Sequence, residues 1–78
     1  MQLEKLTWYD LRAHNGAIYE AMFIGRNHAG KYEFEFNDPM EGREFSPIYW
    51  RIIPFDKEEL DKILVRETYA KQFIRLCI

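Results

Sequence analysis

Only one cysteine, Cys77, stands in the chain, so an internal disulfide is excluded, and two histidines with one thiol make a poor zinc set. An unpaired thiol points to a reducing compartment. No apolar run approaches the roughly 18 residues that would cross a bilayer. The start, MQLEKLTWYD, has neither the apolar stretch nor the small-residue cleavage site of a signal peptide. These absences predict a cytoplasmic protein with no membrane partner. An excess of positive charge is also missing: 11 Lys and Arg against 13 Asp and Glu leave a formal charge of −2. That balance lacks the electrostatic footprint usual for duplex nucleic acid. Repeats, low-complexity tracts and linker-like compositions do not occur, which predicts one continuous, free-standing domain over residues 1–78.

What the chain does have is aromatics, 17% of its 78 residues. A domain of this size buries only about 60% of the surface its unfolded chain exposes. Without a disulfide or a metal, rings that each remove about 150 to 250 Å² from water must supply much of the stability.

The clearest local signal is KYEFEF, where Tyr32, Phe34 and Phe36 fall on one face and Lys31, Glu33 and Glu35 on the other, the period of two of a half-buried strand. Glu33 and Glu35 are expected to face solvent. Before it, AIYEAMFIG is apolar on both faces and reads as a central strand covered on both sides. GRNHAG joins the two as a hairpin loop longer than two residues, with Gly25, Asn27 and Gly30 where positive φ is needed. Upstream, YDLRAH alternates and meets Asn15-Gly16, a strong hairpin signal, which predicts a first strand ending near His14. Thr7 and Asp10 also fit a capping box for a short helix closing at Gly16. Downstream, NDPMEGRE reads as a turn-rich loop. FSPIYWRIIPF supplies one bent or two short strands, which Pro47 and Pro54 confine to an edge or to strand ends.

Residues 56–78 read as a helix. Asp56 and Glu59 form a capping box, and no Gly or Pro interrupts the chain from Glu58 to Ile78. A shorter helix followed by a strand FIRLCI is the alternative. At about 100° per residue, Leu60, Ile63, Leu64, Ala70, Ile74, Cys77 and Ile78 gather on one side to dock on the sheet. Val65, Tyr69, Phe73 and Leu76 gather nearly opposite, a row suited to a partner chain. An N-terminal segment folding back with Leu3, Leu6 and Trp8 would cover the same row. The expected fold is α+β and mostly β: a small antiparallel barrel of four to five strands over residues 11–55, with the helix packed on it. Its core is expected to include Leu11, Ala21, Phe23, Tyr32, Phe34, Ile52 and Leu64.

The order of these elements resembles Tudor-like and other SH3-like small barrels over Leu11 to Phe55. Tyr19-Glu20-Ala21, Gly30-Lys31-Tyr32, Phe36-Asn37-Asp38 and Arg51-Ile52-Ile53 occupy the corresponding places. For Tudor domains that read methylated Lys or Arg through an aromatic cage, the resemblance implies that Tyr19 and Phe36 match two cage positions. His14 stands at the first, and the loop DPMEG brings neither the further aromatic nor the Asn.

Catalytic groups do not converge in this sequence. Cys77 lies in an apolar run, His14 and His28 lie in turns, and Ser46 has no evident base. GRNHAG lacks the Lys-Ser/Thr continuation of a phosphate loop and leads into a strand. No cofactor is implied. The expectation is a non-catalytic protein-protein interaction module, a small adaptor or inhibitor of phage-type size and composition, bound to a second copy or to a heterologous protein. The alternative is single-stranded nucleic acid on an aromatic platform of Trp8, Tyr49 and Trp50 with Arg12, Arg43 and Arg51, although Asp10, Glu41 and Glu44 interrupt those cations.

Overall fold

The alternation of residues 7–36 becomes three consecutive antiparallel strands, β1 (Thr7–Arg12), β2 (Ile18–Arg26) and β3 (Tyr32–Phe36). They belong to a computed structural model that describes residues 3–47 and 51–68. Burying Tyr9 and Leu11 of β1 against β2 overrides the helical capping alternative for residues 7–16. The two hairpin turns share one construction. Ala13 N–H donates to Ala17 O at 2.8 Å and Gly16 N–H to Ala13 O at 2.9 Å; Asn27 pairs in the same way with Lys31 and Gly30, at 2.9 Å each. Gly16 (φ 88°) and Gly30 (φ 80°) take the left-handed position such loops require. Asn27 was expected at positive φ but instead works through its side chain, whose Oδ1 accepts the N–H groups of Ala29 and Lys31.

The loop after β3 holds a short helix, α1 (Pro39–Gly42), with Pro39 in the first turn and Asp38 Oδ1 accepting Met40 N–H at 2.9 Å. β4 (Ile52–Phe55) then pairs with β3. Phe36 N–H donates to Arg51 O at 2.7 Å, so along this ladder the hydrogen-bonded pairs alternate through Phe34/Ile53, and Glu33/Pro54 is a non-bonded pair. The Pro54 position therefore faces away from β3, where the ladder loses no donor, as expected of proline on an edge strand.

Asp56 Oδ1 accepts Glu59 N–H at 2.8 Å and starts α2 (Lys57–Ile63). The helix stops there. Leu64 turns extended (φ −71°, ψ 122°) and β5 (Leu64–Glu67) pairs with the outer edge of β1. This corrects the expected helix over 56–78. No glycine or proline ends α2; the unpaired edge of β1 does, by offering a ladder to residues 64–67. Asp10, 7% exposed, fixes the pairing by accepting from Thr68 Oγ1 and sitting 3.2 Å from Arg66 Nε, while Thr68 N–H donates to Trp8 O. The alternative strand FIRLCI lies outside the described residues.

The five strands run β4-β3-β2-β1-β5, and the sheet is not closed into a barrel. β4 and β5 are four-residue edges, and Pro54 offers no donor on the side where β4 would have to meet β5. β2 is central in this order, yet only one of its faces is fully buried.

The core comprises Tyr9, Leu11, Ala21, Phe23, Phe34, Phe36, Ile53, Phe55 and Leu60. Of the expected core, Tyr32 and Leu64 lie only half-buried at the margin. Ile52 is 40% exposed while Ile53 is 2% exposed: pairing of Phe34 with Ile53 turns Ile53 inward and leaves Ile52 outside beside Glu35, the consequence of a one-residue register. Glu33 and Glu35 take the face opposite the core, both half-buried. Leu3 packs at the core margin and Leu6 is exposed, so the N-terminal segment meets the sheet's core and not a helical row.

Phe34 is fully buried with its ring centroid 5.3 Å from Phe23, 5.9 Å from Phe55 and 6.2 Å from Tyr9. Phe34→Ala is expected to cost about 3 to 5 kcal/mol in urea denaturation; a variant melting like the parent would show the strand faces to be assigned wrongly. Thr68→Val removes a donor from the buried Asp10 carboxylate and is expected to cost about 1.5 to 3 kcal/mol by the same measurement.

Candidate functional site

The N-cap at Asp56 and the burial of Leu60 set the rotation of α2, which leaves Ile63 half-buried against the core and Glu59 and Lys62 exposed beside it. Facing them is Phe45. The turn after α1 holds this residue through Phe45 N–H to Gly42 O at 3.0 Å. Its ring lies edge-on to Tyr19 and Phe55, 5.9 Å from each, and tilted over Phe36 at 5.0 Å. Phe45 is thereby fixed by other rings and only partly covered.

A hollow of about 350 Å³ opens between these elements. Ala13, Phe45, Phe55 and Ile63 form its apolar lining, and Arg12, His14, Glu59 and Lys62 its polar rim. A second hollow of about 200 Å³ shares Phe45, Phe55 and Glu59 and extends past Ser46 and Pro54 to Lys31. The two hollows adjoin at the Phe45–Phe55 pair and are together called the cleft. Among the described residues, the side chains of Arg12, Lys31 and Lys62 make no ion pair or hydrogen bond, and Glu59 is the one carboxylate lining either hollow. Cations left without partners at the rim of an apolar floor are available to a ligand's anionic groups.

The residues singled out from sequence are distributed differently. Trp8 and Arg51 do come together, around a shallow hollow on the opposite face of the sheet that also holds Met22, Glu35 and Asn37. Arg12 lines the cleft instead, and Tyr49 and Trp50 lie outside the described residues. Val65 is on β5, 37% exposed; because α2 ends at Ile63, no helical row runs through it. Tyr69, Phe73 and Leu76 lie outside the described residues. His14 is exposed on the first turn, Tyr19 faces Phe45, and Phe36 is 1% exposed beneath Phe45. Phe36 is thus a core ring with no open face for a methylammonium group.

Sequence reasoning missed Lys31, Phe45, Phe55, Glu59 and Lys62 as members of one site. No local signal groups them, because they come from separate segments of the chain.

Among the described residues no group of three or more His, Cys, Asp or Glu could hold a metal, and no helix is long and apolar enough to cross a membrane. No protein-family model, curated protein or solved structure matches the chain.

Because the rim cations hold nothing in place, Arg12→Gln and Lys62→Gln are each expected to move the unfolding free energy by no more than about 0.5 kcal/mol. Phe45→Ala, which strips the ring shared by both hollows, is expected to cost about 1.5 to 3 kcal/mol. Thermal melts of the three variants beside the parent check both values; a large loss at Arg12 or Lys62 would mean that these side chains are structural.

Proposed function

We propose that this chain is a non-catalytic protein-protein interaction module, a small adaptor or inhibitor of the phage type that works in the cytoplasm by covering part of a partner protein. The cleft beside Phe45 carries the reading: an apolar floor with uncommitted cations around it is a recognition surface. The two histidines stand exposed on separate hairpin turns, apart from one another. The strand order supports kinship with SH3-like and Tudor-like small barrels in an opened form, with β5 returning beside β1 after a helical interruption. Folds of that kind are platforms on which unrelated binding sites are built, so the partner is a matter for the site and not the fold.

One observation favours single-stranded nucleic acid as a second reading, the meeting of Trp8 and Arg51 at the outer hollow. Glu35 lines the same hollow and opposes a phosphate backbone there.

Light scattering of the purified chain, together with affinity capture from native lysate with and without nuclease, tests the proposal. A dimer, or a captured protein that survives nuclease, is the expected result. A monomer that retains nothing, or only nuclease-sensitive material, would overturn the protein-binding role.

A further inference from the structure

We propose that the cleft around Phe45 and Phe55 receives an acidic peptide segment of the partner protein, anchored by an apolar side chain. This rests on the reading of the chain as a protein-binding module and adds the chemistry of what it binds. The chain carries a net charge of −2, yet the two hollows are lined by Arg12, Lys31 and Lys62 against Glu59 alone. Local charge is therefore opposite in sign to that of the whole, and none of the three cations has an ion-pair or hydrogen-bond partner for its side chain among the described residues. Electrostatic complementarity of this kind selects a partner segment rich in Asp and Glu.

The floor defines the rest of the ligand. The larger hollow, at about 350 Å³, stands at the small end of the range of roughly 300 to 1,000 Å³ typical of ligand sites. It suits one large apolar side chain, seated against Phe55, Ala13 and Ile63. Carboxylates on either side of that anchor would then reach Arg12 and Lys62 at one end and Lys31 at the other. Recognition runs through side chains, because Pro54 removes one of the two outward-facing N–H positions of β4 and leaves that of Ile52 alone for an added strand. Bases of a single strand fit less well. Phe45 already packs against Tyr19, Phe36 and Phe55, which leaves it only partly exposed and a reduced platform for a stacking base.

Fluorescence anisotropy with the full chain and labelled synthetic probes tests this. The probes are Glu-Asp-Glu-Leu-Phe-Glu-Asp-Glu, its counterpart with lysine at every acidic position, its counterpart with Ser-Ser at the centre, and an oligothymidine strand. The first is expected to bind at least about tenfold tighter than the other three and to weaken as salt rises. Arg12→Glu with Lys62→Glu, shown to be folded by circular dichroism, is expected to lose at least about tenfold in affinity for it. Equal binding of the lysine or serine probe, tighter binding of oligothymidine, or an unaffected double variant would each overturn the proposal. If native lysate yields a protein partner that the double variant retains as well as the parent does, the module stands and its acidic-peptide cleft does not. If the parent itself captures no protein and stays monomeric while the acidic probe binds as expected, the cleft chemistry holds and the protein-binding role fails.

Discussion

Phe34 is the point at which the sheet is tied together. Its ring reaches Tyr9 on β1, Phe23 on β2 and Phe55 on β4, so one side chain on β3 gathers four of the five strands onto a common interior. The chain has one cysteine and, among its described residues, no metal-binding cluster, so this interior of interlocked rings takes the place of a staple. The second group of rings, Tyr19, Phe36 and Phe45, continues from it and ends at the surface. The floor of the cleft is therefore the margin of the core, and rigidity there follows from the same packing that makes the domain stable.

Local features of the fold were legible in the sequence and long-range ones were not. Tyr32, Phe34 and Phe36 alternate with glutamates because one face of β3 is buried, and both hairpins follow from a glycine at the left-handed position of a short loop. Capping at Asp56 was equally readable, since cap and donor lie three residues apart. The end of α2 was not, because nothing in residues 57–67 forbids a longer helix; the competing ladder on β1 lies more than fifty residues away in sequence. Ile52 and Ile53 illustrate the same limit on a finer scale, where adjacent β-branched residues exchange faces according to a register that only the partner strand decides.

The cleft was hidden for a related reason. Its lining comes from the β1–β2 turn, the β2–β3 turn, the segment after α1, the end of β4 and α2, and no one of these segments has a distinctive composition. The sequence contained the right types of residue at Arg12 and His14, but grouped them with partners that the fold sends elsewhere: Arg12 away from Trp8, and His14 away from Phe36, which enters the core.

Asp10 links two of these themes in time as well as in space. β1 meets β2 across a short turn, but its other edge stays open until residues 64–68 exist, 58 positions after Asp10 in the case of Thr68. In a chain made from its N-terminus, β1 and β2 are therefore complete before the strand that covers this edge has been made. A carboxylate at that edge discourages pairing with another nascent chain. Once Arg66 and Thr68 arrive, the same group becomes the anchor of β5. Asp10 thus marks, on an edge that other strands could also pair with, the one segment of the chain whose Arg66 and Thr68 satisfy it.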